Sequence, residues 1–200
     1  MIKARAVVMT GIGGPEVLQL QDMDINWPRG ETDVLVRIKA AGLNPADTFF
    51  RALGTYVEND NAIVLGHDGA GIVEAVGASV DGVSVGDRVC FCHGGIGGEP
   101  GTYCDYAVVP ADLLVKIPDG MDFRTAAVFP LVAITAWEAL VERAGVKPDE
   151  KVLIHGGAGG TGQMAIQVAR LKGAKVATTV SSQAKADLVG SLGAERPILY

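Results

Sequence analysis

Apolar and polar positions change rhythm once along this chain of 200 residues. Up to about residue 123 the apolar residues come in short runs, each cut off by Gly, Pro or Asp. In Val34-Leu35-Val36-Arg37-Ile38-Lys39 the residues Val34, Val36 and Ile38 share one face while Arg37 and Lys39 point away, the pattern of a half-buried strand. Residues 3–9, 63–65, 71–76, 88–91, 103–109 and 113–117 read as strands too. Many short strands with this punctuation predict a compact, mostly β, barrel-like domain over residues 1–123. One helix interrupts it. Asn44 suits the N-cap, Pro45 the first helical position, Asp47 the positive helix end and Gly54 the exit, which predicts a helix over 45–53.

After residue 123 the texture becomes helical and stranded in turn. Residues 123–129 predict a short helix, and Pro130 opens a second one running to about Arg143. Lys151-Val152-Leu153-Ile154-His155 is a short apolar strand. Residues 161–172 place Met164, Ala165, Val168, Ala169 and Leu171 on one helical face. A second strand over 175–180, a helix over 183–192 ending at Gly193, and a strand candidate over 197–200 follow. This alternation predicts a parallel sheet, so the chain as a whole is α/β, with a second domain over 124–200.

Composition narrows the picture. Hydrophobic residues make up 48% and charged residues 20%, as in an ordinary globular chain. The net charge of −6 argues against a nucleic-acid-binding surface. The apolar run over 126–137 contains Pro130 and Thr135 and is too short to span a bilayer. The first ten residues lack the apolar stretch of a signal peptide. Three cysteines do not make a disulfide scaffold. A cytoplasmic protein with no membrane and no nucleic-acid partner is the expectation. The 27 glycines are about twice the usual share of ~7%, so they must serve turns and close backbone approaches.

The clearest chemical signal is Gly157-Ala158-Gly159-Gly160-Thr161-Gly162. Its Gly157, Gly159 and Gly162 have G-x-G-x-x-G spacing, between a predicted strand and a predicted helix, which is the context of a dinucleotide-binding loop. The first glycine permits the tight turn, the second lets the backbone approach a pyrophosphate, and the third lets the helix pack close. The next strand ends in Thr178-Thr179-Val180-Ser181-Ser182, without the carboxylate that holds a ribose 2′-hydroxyl in NAD sites. Ser181, Ser182 and Lys185 suit a 2′-phosphate instead, which favours NADPH.

Together with this loop, further stretches bring a family into view. They are Ala41-Gly42-Leu43-Asn44-Pro45-Ala46-Asp47, Leu65-Gly66-His67-Asp68-Gly69-Ala70-Gly71, Val85-Gly86-Asp87-Arg88-Val89, Gly101-Thr102-Tyr103-Cys104-Asp105-Tyr106 and Ala133-Ile134-Thr135-Ala136-Trp137. The chain resembles the medium-chain dehydrogenase/reductase superfamily, and within it the zinc-free quinone oxidoreductases. The resemblance implies a GroES-like substrate domain followed by a doubly wound Rossmann domain. It implies hydride transfer from NADPH to a quinone or an α,β-unsaturated carbonyl. An enoyl-thioester or alkenal reductase and a non-catalytic nucleotide-binding protein are the alternatives. The superfamily commonly dimerises, so a homo-oligomer stays open.

The resemblance also assigns roles. It places Asn44 beside nicotinamide and substrate, as a hydrogen-bond donor whose amide NH₂ stays free when its oxygen caps the helix. Since Asp caps about as well as Asn, a purely capping Asn44 predicts that Asn44→Asp keeps its stability. Tyr56 matches an active-site tyrosine, whereas Phe49 stands where some relatives carry one. His67 is either a structural histidine or a proton relay. Thr135 matches a nicotinamide contact, or is an ordinary helix residue bonded back to a carbonyl. Asn44 occupies the place of a zinc-binding cysteine, and one histidine cannot fill a site that usually takes three protein ligands. Cys90, Cys92, His93 and Cys104 lack the spacing of a structural zinc site, so no metal is expected. Residues 151–200 suffice for one βαβ unit of ~30 residues and part of the next, so the Rossmann domain is expected to be incomplete at its C-terminal side.

Overall fold

The computed structural model describes residues 1–56 and 63–200. Eleven strands and five α-helices are formed among them. The chain divides into two compact units, Met1–Pro130 and Leu131–Tyr200. The first unit holds two antiparallel sheets. One has the order β2-β1-β4, from β1 (Ile2–Met9), β2 (Leu18–Ile25) and β4 (Ile63–Val64). The other has the order β7-β3-β5-β6-β8, from β3 (Asp33–Ala41), β5 (Asp68–Val76), β6 (Arg88–Cys92), β7 (Tyr106–Pro110) and β8 (Val115–Lys116). An isolated bridge between Ala6 and Cys104 is the further antiparallel link.

Burial departs from the simple alternation at β3. Val34 and Val36 enter a core with Val73, Val89, Phe91, Ala107 and Val109. Leu35, on the opposite face, enters a second core with Ala4, Ala6, Val8, Ile25 and Val64. The amino-terminal half of β3 is thus buried on both faces, and only the Arg37–Lys39 end behaves as half-buried. β2 escapes the period-2 pattern because its apolar residues change phase. Met23 and Ile25 face inward, whereas Leu20 is 69% exposed on the other face, although the pairing with β1 runs without a bulge.

The glycine-rich stretch after β6 serves a close approach. It lies along the segment that leaves β4: the Gly101 N–H donates to Val64 (2.8 Å), Thr102 to Gly66 (3.0 Å) and His93 to His67 (2.8 Å). A Cβ on Gly101 would stand 2.3 Å from the Gly66 carbonyl oxygen, so a side chain there would lift the loop. This packing fixes the backbone on either side of His67.

Helix α1 (Pro45–Leu53) has the predicted ends, with Gly54 leaving at φ +97°. α2 (Phe123–Ala126) is capped by Asp122, which accepts from the Thr125 N–H at 2.7 Å. Ala126 and Ala127 pack with Ala70 and Ile117 of the first unit, and that compact unit runs to Pro130, whereas the sequence reading opens the second domain at residue 124. α3 (Pro130–Trp137) continues into a π-helical stretch, Glu138–Arg143, where the α-helical pattern predicts ordinary turns. Leu140 and Val146 of this region enter the second core. The helical stretch Phe123–Arg143 is 21 residues with mean hydropathy 1.4, longer than the apolar run over 126–137, and so reaches membrane-spanning dimensions by length and composition alone, as core helices also do. Its two pieces nevertheless contribute to the cores of different units.

The second unit is a parallel sheet of order β11-β10-β9, built from β9 (Lys151–Ile154), β10 (Lys175–Val180) and β11 (Arg196–Leu199). α4 (Gly160–Leu171) and α5 (Gln183–Leu192) connect the strands. The buried face of α4 carries Gly162, Ala165, Ile166, Val168 and Ala169; Ile166 is fully enclosed, and Leu171, expected inside, is exposed. The helical face is turned by about one residue from the expected one.

Two-sided burial of β3 gives a direct test. Leu35→Ala should destabilise the chain by about 2–5 kcal/mol, the scale of a truncated core leucine. Leu20→Ala should stay within about 0.5 kcal/mol, as for an exposed position. Urea unfolding followed by circular dichroism checks both, and equal losses would refute the assigned faces.

Candidate functional site

In the first unit the polar chemistry gathers on a buried carboxylate. Asp47, in the first turn of α1, accepts the Asn44 backbone N–H at 2.7 Å, the Tyr103 hydroxyl at 2.8 Å and His67 Nδ1 at 3.0 Å. The first bond closes the helix start, since it uses an N–H that no helical carbonyl can reach. Burial by itself pushes the Asp47 carboxyl up, but the bonds from His67, Asn44 and Tyr103 outweigh it and hold the group below its ordinary value. The Tyr103 phenol is pushed up, first by burial and then by donation to Asp47, so it stays protonated. An ionised carboxylate only accepts, so His67 carries its hydrogen on Nδ1, and Nε2 holds the lone pair when the ring is neutral.

A second buried carboxylate fixes Asn44. Its Nδ2 donates to Asp68 Oδ2 at 2.9 Å, and both residues are buried. The amide nitrogen is therefore not free, as the capping argument alone would leave it: one of its two protons is committed to Asp68. Cys92 also bonds to Asp68, and its thiol is pushed up to about 12, by burial first and by the Asp68 charge next. Burial raises Cys90 and Cys104 as well. Burial thus keeps these thiols protonated near pH 7. Among the described residues no group of three or more His, Cys, Asp or Glu side chains is arranged to hold a metal ion.

His67 is joined to Tyr56 through Phe50. The imidazole stacks on the Phe50 ring at 5.6 Å, and the Tyr56 ring meets Phe50 edge-on at 5.1 Å. Tyr56 is 82% exposed, so its phenol faces solvent. Asn44, His67 and Tyr56 are thereby brought into one neighbourhood of the first unit. Asp68 and Tyr103 belong to it too, and no sequence signal singles them out as site residues. Asp47 reads in the sequence only as a helix-start charge, although its place three residues after the N-cap hints at the reciprocal bond.

In the second unit the glycine loop lies between β9 and α4. Gly159 is the N-cap of α4, no side chain caps it, and Gly159, Gly160 and Thr161 are exposed. The early N–H groups of this helix have no carbonyl partner within it, which suits an anion. A Cβ on Gly159 would meet a single protein atom, the Gly156 carbonyl oxygen, at an ordinary 3.4 Å. The protein thus leaves this space open, as a pyrophosphate lying on the backbone requires. At Gly162 a Cβ would stand 2.4 Å from the Gly156 oxygen, the close helix packing expected of the third glycine. The turn itself is made by Gly156, at φ +68°, rather than by Gly157 as expected from the motif. Ala158 accepts from Gln163 Nε2 at 2.9 Å.

At the end of β10, Lys185 Nζ donates to Ser181 Oγ at 2.9 Å, and Ser182 Oγ caps α5 by accepting the Lys185 N–H at 3.4 Å. All three residues are exposed. Ser181 and Lys185 together offer a hydroxyl and a cation in one place. Thr135 donates its hydroxyl to the Leu131 carbonyl at 2.7 Å, the bond of an ordinary helix residue.

Known proteins resemble the chain over nearly its whole length. The profile of the alcohol dehydrogenase GroES-like domain fits residues 30–119. A quinone oxidoreductase of Pseudomonas aeruginosa is 39% identical over 197 residues, which cover 98% of this chain and 59% of that protein. The chain belongs to the medium-chain dehydrogenase/reductase superfamily. A phenolphthiocerol/phthiocerol polyketide synthase subunit of Mycobacterium tuberculosis is 39% identical over 196 residues, 96% of this chain and 9% of that much longer protein. The structure of mycobacterial Rv1454c complexed with NADPH superposes with a TM-score of 0.81 at 36% identity, over 98% of this chain and 58% of that one. The chain therefore spans a little over half the length of the quinone oxidoreductase it matches.

For this member of the superfamily, the Asn44–Asp68 bond reverses the expectation for Asn44→Asp. The substitution sets two carboxylates against each other where a donor now meets an acceptor 2.9 Å away. Like charges raise one of the two pKa values, so the penalty is full above that value and shrinks as the pH falls and the pair takes up a proton. At pH 7 the variant should lose roughly 1–3 kcal/mol. Thermal melts at neutral and at progressively more acidic pH check this, and wild-type melting throughout would leave Asn44 as a cap only.

Proposed function

We propose that the protein is an NADPH-dependent oxidoreductase that reduces a quinone or an α,β-unsaturated carbonyl compound without zinc. The observation that carries this reading is the open space above Gly159 at the uncapped start of α4, with Ser181 and Lys185 paired at the end of the neighbouring strand. The Pseudomonas relative is a quinone oxidoreductase and the Rv1454c structure contains NADPH, which supports both halves of it.

The residues divide the work by chemistry. Gly160, Thr161 and Gly162 take the pyrophosphate on the early N–H groups of α4, while Gly157, Ala158 and Gly159 shape the loop against it, the N–H groups of Gly157 and Gly159 being held by the Thr179 and Gly156 carbonyls. Ser181 and Lys185 take the 2′-phosphate, while Ser182 holds the first turn of α5 beneath them. Thr135 contacts the nicotinamide side through the lone pairs its internal bond leaves. When bound, NADPH supplies a hydride. Quinones and enones suit a zinc-free site because the charge left after reduction spreads onto an enolate or quinol oxygen, which hydrogen-bond donors stabilise. On the first unit the exposed Tyr56 phenol and the second amide proton of Asn44 are such donors. His67, held by Asp47, relays a proton through Nε2.

The similarity to the polyketide synthase subunit favours a second reading, reduction of an enoyl thioester. An alkenal reductase uses the same donors. The protein acts in the cytoplasm on small molecules, as a single chain or a homo-oligomer. Turnover with NADPH on a panel of quinones, enones and enoyl thioesters separates these substrates. Tight NADPH binding with no turnover on any of them would instead make this a nucleotide-binding protein. Lys185→Ala should weaken NADPH binding by about 1–2 kcal/mol, one charge-assisted hydrogen bond, and leave NADH nearly unaffected. Titration calorimetry with both cofactors measures this, and equal losses would show that Lys185 acts on the fold.

A further inference from the structure

The loop over 155–157 is held from one side by two consecutive threonines of β10. Thr178 is fully buried, and its hydroxyl donates to the Ile154 carbonyl, at the end of β9, over 2.6 Å. The same Oγ1 stands 2.1 Å from where a Cβ on Gly157 would be, with Cγ2 at 2.9 Å. Gly157 is thus a glycine because Thr178 occupies its side-chain space; Gly156 supplies the turn. Thr179 continues the contact. Its Oγ1 accepts the Gly156 N–H at 3.0 Å and lies 3.4 Å from His155 Nδ1, and its carbonyl accepts the Gly157 N–H at 3.1 Å.

From these residues the restraint passes to the start of α4. The Gly156 carbonyl accepts the Gly159 N–H at 2.9 Å and is the atom on which Gly162 packs. A shift of Gly156 therefore moves the backbone that meets a pyrophosphate. Two and three residues past Thr179, the same strand end presents Ser181 and Ser182.

We propose that Thr178 and Thr179 are positioning residues for the dinucleotide: from β10 they set the position of the phosphate loop that β9 and α4 carry. This rests on the dinucleotide reading above. The proposal concerns the pyrophosphate and not the ribose phosphate. Thr179→Val removes the acceptor of the Gly156 N–H and keeps the side-chain shape. Thr178→Val sets a methyl against the Ile154 carbonyl and Gly157. Both serine variants restore the hydroxyl.

The test uses the 200-residue chain with two probes, NADPH and adenosine 2′-monophosphate, which has the ribose phosphate but no pyrophosphate. Thr179→Val should raise the Kd for NADPH about fivefold or more, the scale of one hydrogen bond, and leave the Kd for adenosine 2′-monophosphate within about twofold, inside ordinary surface effects. Thr179→Ser should bind NADPH as wild type does. Thr178→Val should behave like Thr179→Val, with melting curves to show that each variant is folded at the binding temperature. If a folded Thr179→Val binds NADPH as tightly as wild type, the positioning role is overturned. If both probes weaken alike, the threonines act on general stability and the proposal also falls. If wild type binds neither NADPH nor NADH, the dinucleotide reading itself fails and takes the proposal with it, an outcome distinct from the other two.

Discussion

Asp47 is the constraint on which the first unit's candidate site depends. A buried carboxylate is costly unless its oxygens are occupied, and here three donors from three parts of the chain occupy them. Each bond has a structural consequence. The Asn44 N–H fixes where α1 begins, the Tyr103 hydroxyl ties the glycine-rich stretch to the helix, and His67 is turned so that its second nitrogen is left for other work. The net lowering of the Asp47 pKa, against burial, states the same balance in protons. Asp68 repeats the device one residue after His67, with Asn44 and Cys92 as its donors.

The second unit solves a different problem, the presentation of backbone rather than side chains. Its glycines are not interchangeable. Gly156 turns the chain, Gly157 makes room for Thr178, Gly162 lets α4 approach the loop, and Gly159 is crowded by no protein atom. The space at Gly159 is nearly as open as that at surface turn glycines such as Gly82 and Gly120, so it admits a ligand's approach to the backbone without by itself requiring one.

Local signals in the sequence are readable where the chain makes its own contacts. Asn44, Pro45 and Gly54 mark both ends of α1, and the glycine motif between an apolar strand and an amphipathic helix marks the parallel unit. What stays hidden depends on residues far apart. Tyr103 reaches Asp47 across 56 positions and Thr178 reaches Ile154 across 24. No spacing rule joins them. β2 is not legible because its apolar residues change phase between Leu20 and Met23, and β3 reads as one-sided because Leu35 looks like any apolar neighbour until a second core lies on it. Asn44 shows the same limit at the site: cap chemistry is local and legible, but the carboxylate that takes its amide proton is not.

The central role of Asp47 is tested most directly by the protonation of the His67 ring, read by nitrogen-15 NMR on the labelled chain at a pH where the imidazole is neutral. With Asp47 ionised and accepting, the hydrogen belongs on Nδ1, with Nε2 showing the shift of a nitrogen without hydrogen, and Asp47→Asn should abolish that preference. A wild-type His67 carrying its hydrogen on Nε2, as a free imidazole side chain does, would contradict it.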